Sequence, residues 1–280
     1  MKYIIASKGY VDGLQQCSGQ SQYTELGYEL IISYMYIKHL INTHQLTQDD
    51  VIVTKKDREF LYQQDHPNVI NFDDYLKLSP PKEDIIDLVE LLISDPSLSW
   101  LAENYNKETY KYKVEDYNLI RSFKKSNITI PDEPYACLAI RKRAGANWRD
   151  TPDMFASIVI NDIKPLFKKI FIFGNNIESF CDFNITFPII LQDFATLSEN
   201  KNCAICISHV SGIIYIPYIF SNAKSIHMVS NQYSQLMTDM NNGNPMWFSK
   251  NTYFAPSKYY VYDIYNPNCI NVLVSNIIKL

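Results

Sequence analysis

The segment Ala139 to Arg149 reads AIRKRAGANWR, which places Arg141, Lys142 and Arg143 just ahead of Gly145, Trp148 and Arg149. On an extended chain Arg141 and Arg143 project to the same side. A guanidinium fork engages phosphate oxygens two at a time. A strand end that delivers such forks next to a glycine is suited to clamp a pyrophosphate. The same residues also describe a solvated basic strand end; the continuation of the cluster through Trp148 and Arg149 favours the clamp. Arg149 has a second use, pairing with Asp150 or Asp153 where the next helix opens. A second segment, ISHVSGIIYIPYIF, runs from Ile207 to Phe220. Its Ser211-Gly212 elbow, between a buried strand and a helix, offers backbone N–H groups that favour an anion. His209 at that elbow either donates to a phosphate, acts as an acid, or holds the turn as a structural hydrogen-bonding residue. Gly174-Asn175-Asn176 follows the strand KIFIFG; the amides suit a sugar, a ribose or a base, and equally suit a turn. Gln192 follows FPIIL and is placed to meet a nucleobase, while Asp193 is read as the N-cap of a helix from Phe194 to Glu199.

These residues need elements to hold them. The second half alternates strand and helix: strand Tyr135–Arg141, helix Pro152–Phe167, strands Lys169–Phe173, Phe187–Leu191 and Cys203–Ser208, an apolar helix, and strand Ser225–Val229. A strand-like segment at Tyr259–Ile264 and an apolar stretch at Cys269–Ile278 end the chain. Such alternation predicts a parallel sheet with helices on its faces. Gly145, Gly174 and Gly212 each follow a predicted strand, and ligands of open parallel sheets lie beyond the carboxyl ends of strands. The first half has the same grammar. It offers a strand at Lys2–Ser7, a loop with Asp12, a helix at about Glu25–Asn42, strands at Val51–Thr54 and Val69–Phe72, and a short helix at Asp57–Gln64. An amphipathic helix is read at Asp84–Ser94 and a further helical stretch at Trp100–Phe123. The prolines of NITIPDEP, Asn127 to Pro134, mark a linker, so domains are expected at 1–130 and 131–280.

Bulk properties narrow the partners. A net charge of -4 gives no global basic field to recruit nucleic acid. No apolar run is long enough to span a bilayer. The chain leads from Met1-Lys2 directly into a strand, so a cytoplasmic, reducing location with free thiols is expected. Cys203-x-x-Cys206 lies inside the apolar run CAICIS without a second paired-ligand motif. It is read as core cysteines rather than a metal site. The P-loop, G-x-G-x-x-G, H-E-x-x-H, D-x-D and G-x-S-x-G patterns are all absent.

Two similar α/β halves, with phosphate-binding features in the second, resemble the GT-B architecture of nucleotide-sugar glycosyltransferases. ISHVSGIIYIPYIF looks like the donor-domain elbow of heptosyltransferase-like and fucosyltransferase-like enzymes. CLAIRKRAGANWRDTPDMF looks like the basic strand-end motif of the fucosyltransferase type, although the usual His-x-Arg-x-Gly-Asp is not intact. The resemblance implies two Rossmann-like domains facing a central cleft, with the tail packing back across them. It implies donor diphosphate contacts from Arg141, Arg143, Ser211 and Gly212. Gly145, Trp148, Arg149, Gly174, Asn175, Gln192 and His209 complete the expected donor side. It further implies no metal and no cofactor besides the nucleoside-diphosphate sugar. An inverting transfer to a carbohydrate hydroxyl needs a base from the first half. Asp12 is the candidate, its alternative role being an Asp-Gly turn with Gly13; Glu25 and Asp73 come next. Size and composition also resemble enzymes of large DNA viruses, such as the capsid-glycan xylosyltransferases of chloroviruses. That points to xylose, from UDP-xylose, or fucose as the transferred sugar, in glycan biosynthesis, and to a host cytoplasm. Two rival readings are a nucleotide-sugar epimerase-like enzyme and a non-catalytic nucleotide- or carbohydrate-binding module. The oligomeric state and the acceptor are left open by the sequence.

Overall fold

A computed structural model describes residues 1–8, 26, 29–94, 121–142, 150–209, 212–220, 224–230 and 257–262. The chain forms two compact α/β units, Met1–Ser126 and Asn127–Leu280. In the first unit, strands β1 (Tyr3–Ile5), β2 (Val51–Thr54), β3 (Val69–Asn71) and β4 (Ile85–Asp87) make one sheet in the order β3-β2-β1-β4. Every pairing is parallel, with Ile4 opposite both Ile52 and Ile86. Ile4, Ile52 and Val53 have no exposed surface, as expected for strands covered on both faces.

Three elements depart from the sequence reading. The helix expected over Asp84–Ser94 is split: Ile85–Asp87 pairs with β1, and only Leu88–Ser94, α3, is helical. Asp87 makes the break by accepting the N–H groups of Val89 (3.1 Å) and Glu90 (3.0 Å) as a helix cap. Within the long helix of the first half, Glu29–Ser33 forms a π turn that runs into α1, Tyr34–Asn42. The helix expected over Asp57–Gln64 is a single 3₁₀ turn, Glu59–Leu61. A four-residue helix, α2 (Phe72–Tyr75), follows β3.

The second unit is a six-stranded parallel sheet in the order β10-β9-β8-β5-β6-β7. Its strands are β5 (Tyr135–Ile140), β6 (Ile170–Gly174), β7 (Thr186–Ile189), β8 (Cys203–His209), β9 (Lys224–Ser230) and β10 (Ser257–Tyr262). The chain begins at β5, winds outward through β6 and β7, then returns to the far side of β5 and winds outward again. This is the doubly wound order, and its direction reverses between β5 and β8. Helix α4 (Asp153–Ile163) covers one face, burying Phe155, Val159 and Ile163 against Ala136, Leu138, Ile140, Ile205 and Ile207. Helix α5 (Leu191–Glu199) lies against the residues of β5 that point the other way, where the Tyr135 hydroxyl donates to the Leu197 carbonyl at 2.8 Å. A short helix, α6 (Tyr215–Phe220), follows β8 after a 3₁₀ turn, Gly212–Ile214. No described helix is long and apolar enough to cross a membrane.

Candidate functional site

In doubly wound sheets ligands bind at the carboxyl ends of the strands where the winding reverses, because neighbouring crossovers leave toward opposite faces there; here that point lies between β5 and β8. Ala139 pairs with Ser208, so the two strands reach that edge in register. Arg141 leaves β5 there, and Gly212 opens the 3₁₀ turn beyond β8. On the other side of β5, Ile140 pairs with Gly174, the last residue of β6. Gln192 sits in the first turn of α5, directly after β7. The described members of the expected site therefore fall on one sheet edge, and Arg141 occupies its centre. Asp12, Arg143, Gly145, Trp148, Arg149 and Ser211 lie outside the described residues, as does Glu25.

Arg141 is fixed by its backbone. Its N–H donates to the Thr151 hydroxyl at 3.0 Å, and the Thr151 N–H donates to its carbonyl at 2.9 Å. Thr151 is buried, so both ends of the 142–150 loop are held at the end of β5. The Arg141 Nη1 lies 3.8 Å from Asp150 Oδ1, and its side chain is 8% exposed. Lys142 pairs with Asp153. Asp150 and Asp153, the acids expected near Arg149, thus pair with Arg141 and Lys142. Sequence reading missed this because it follows from the hydrogen bonds that join Arg141 to Thr151, ten residues on.

Other expected residues have identifiable packing roles. A Cβ built on Gly174 would stand 2.2 Å from the Ile140 carbonyl oxygen and 2.8 Å from Ile177 Cγ2. Asn175 is exposed, and Asn176 has a φ of 53°, the left-handed turn conformation that Asn tolerates. Asp193 is not the N-cap of α5. The helix starts at Leu191, and Asp193 Oδ2 reaches back to accept the Ile190 N–H at 3.3 Å. The Gln192 carbonyl accepts the Thr196 hydroxyl at 2.8 Å. Asp73 is exposed in the first turn of α2, a favourable place for any carboxylate.

The first unit carries polar groups that the sequence did not advertise. Glu29 has no exposed surface and sits in the π turn. Its carboxylate accepts from Arg58 Nη1 (2.6 Å), the Tyr62 hydroxyl (3.1 Å) and the Thr54 hydroxyl. Arg58 Nη1 also lies 3.3 Å from Ser7 Oγ. Ser7 and Thr54 stand at the carboxyl ends of β1 and β2, so this network closes that part of the sheet edge. The reversal of winding between β1 and β4 is spanned by Lys8, 2.7 Å from Asp87 and 2.8 Å from Glu90. The one available signal was Glu29, a lone acid ahead of the apolar run LIISYMYI; Arg58 is masked by its charged neighbours in KKDRE.

No protein-family model and no curated protein matches the chain. Solved structures do. E. coli ADP-heptose LPS heptosyltransferase II is 9% identical with a TM-score of 0.48, covering 94% of this chain and 90% of that one. E. coli heptosyltransferase WaaC, solved with ADP-2-deoxy-2-fluoro heptose, is 11% identical with a TM-score of 0.46, covering 100% of this chain and 98% of that one. A glycosyl transferase family 9 protein from Veillonella parvula DSM 2008 is 11% identical with a TM-score of 0.42, covering 99% and 89%.

Proposed function

We propose that this chain is a GT-B-type glycosyltransferase that moves a sugar from a nucleoside-diphosphate donor to a carbohydrate hydroxyl. The observation that carries the reading is the position of Arg141: the end of the first strand of a doubly wound sheet, beside its switch point. A cation fixed there by its own backbone meets the diphosphate in a defined orientation. Its separation from Asp150, 3.8 Å, is that of an ion pair rather than a hydrogen bond. In this reading Arg143 supplies a second fork, and the amides at Ser211 and Gly212 receive the other phosphate. Charge that develops on the leaving diphosphate is then stabilised by groups already in place, with no call on a metal.

The acceptor hydroxyl gives its proton to a base, for which Asp12 of the first unit is proposed. Its oxygen attacks the anomeric carbon, the bond to the diphosphate breaks, and the product is inverted. Xylose or fucose is the proposed sugar. The test follows nucleotide release from a panel of nucleotide-sugars, with and without glycan acceptors. Release that depends on an acceptor is the expected result. Conversion of the sugar without an acceptor would make the protein an epimerase-like enzyme. Binding without turnover on any acceptor would make it a binding module.

A further inference from the structure

The cysteines expected in the core are three rather than two, and they converge. Cys137 of β5 joins Cys203 and Cys206 of β8, with all three buried and their sulfurs within 4.8 Å of one another. Residues three apart on a regular strand face opposite sides. Here the β5–β8 register shifts: Tyr135 pairs with Cys203, but Ala136 pairs with Ile205. The extra residue, Ala204, is exposed and bulges out of the ladder. One consequence is that Cys203 and Cys206 share the face of Cys137, which pairs directly with Cys206.

The sulfur spacing is 3.5 Å from Cys203 to Cys206 and 3.8 Å from Cys203 to Cys137. Bonds of about 2.3 Å from zinc to sulfur, set tetrahedrally, place sulfurs about 3.8 Å apart. Two of the three sulfur separations therefore already match those of zinc ligands, and the third is no more than 4.8 Å. A fourth donor adjoins Cys206. Ser198 of α5 has no exposed surface, and its Oγ is 3.5 Å from Cys206 Sγ. Its hydroxyl hydrogen is given to the Phe194 carbonyl at 2.6 Å, which leaves its lone pairs toward the sulfur.

We infer that Cys137, Cys203 and Cys206, with Ser198 Oγ, form a structural site for one thiophilic divalent metal ion of the zinc class. Three thiolates around a divalent ion leave one net negative charge, less than a monovalent ion would leave in this apolar setting. Each metal–sulfur bond forms as the thiol loses its proton to solvent, so three protons leave and no electron is transferred. The ion ties β5, β8 and α5 together on the face away from α4. It acts through folding stability and is independent of the proposed transfer reaction.

The test uses the full chain with Cys17→Ala, Cys181→Ala and Cys269→Ala, reduced and under anaerobic conditions, so that only the cluster remains. Cadmium is the probe, because its thiolate bonds give an ultraviolet charge-transfer band; zinc is the competitor. The expected result is a band that saturates at one equivalent, is displaced by zinc, and accompanies a raised melting temperature. Cys206→Ser in this background should lose the end point. Ser198→Ala, a small change that leaves the sulfurs in place, should weaken binding by about tenfold or more. A folded protein that gives no band, a band seen only on unfolding, or one that survives Cys137→Ala would overturn the site.

Discussion

Gly174 stands where a side chain has no room. A methyl carbon added there would lie 2.2 Å from the Ile140 carbonyl oxygen, and no relief is open to it, because the obstacle is backbone. Gly174→Ala should cost about 1–3 kcal/mol, the usual range for overpacking, seen as a lower urea midpoint with an unchanged slope. An unchanged midpoint would return the residue to the ligand. The sequence marked Gly174 correctly as special but left its reason ambiguous, since a glycine after a strand serves close packing and ligand approach alike. Arg141 teaches a related lesson. Its type and place at a strand end were legible, whereas its neighbour Asp150 was not, because the pairing depends on how the 142–150 loop returns to Thr151.

At the scale of elements, α1 is tied to the segment that precedes the second unit. Lys38 is 1% exposed, and its Nζ donates to Asp65, to the Ser122 carbonyl (2.7 Å) and to the Ser122 hydroxyl (3.1 Å). The Tyr34 hydroxyl donates to the same carbonyl at 3.0 Å, and Lys38 Nζ lies 5.0 Å above the Tyr34 ring. Burial lowers the Lys38 pKa to about 8, against an ordinary 10.5, although Asp65 opposes the shift. Below pH 8 both folded and unfolded chains hold this proton, and the folded chain bears the desolvation of the charge. Between about 8 and 10.5 the unfolded chain binds the proton more strongly, so stability from this group rises with pH. Tyr34 and Tyr62 act in the other direction: burial raises both phenols, so their contribution falls as pH passes the ordinary tyrosine value of 10.0. Urea midpoints should therefore show a rising component between pH 8 and 10 that Lys38→Met removes. Equal pH slopes in the two proteins would refute it. The division of 84–94 into β4 and α3 belongs to this scale as well. Ile85-Ile86 fits a short strand or a helix face equally well, and Asp87 with Glu90 three residues on was the overlooked cap signal.

At the scale of the whole molecule, the first unit repeats the opening of the second. Its order, β3-β2-β1-β4, matches the β7-β6-β5-β8 portion of the larger sheet. The proposed function divides labour between these units, with base chemistry in the first and the diphosphate in the second. A matched pair of variants separates the two roles. Arg141→Ala should weaken nucleoside-diphosphate binding by roughly tenfold or more, as loss of a charge-assisted contact does, by calorimetry on protein with native circular dichroism. Asp12→Asn should keep that affinity and lose roughly a hundredfold or more in turnover. Near-normal turnover in Asp12→Asn would remove Asp12 as the base, and unchanged affinity in Arg141→Ala would remove the clamp.

The sequence by itself determined the local alphabet. Apolar runs such as YACLAI and KIFIFG had to be buried strands, and their alternation with helices had to give parallel sheets, because a chain needs a crossover to return in the same direction. What only the tertiary structure decided was adjacency. That β8 returns to lie beside β5, that Ile85–Asp87 completes the first sheet, and that a bulge at Ala204 turns Cys203 toward Cys137 are matters of long-range register. Local periodicity specifies which face of a strand is apolar. It is blind to which other strand will cover the exposed backbone of its edge, since that choice is made by hydrogen bonds and packing among residues far apart in the chain.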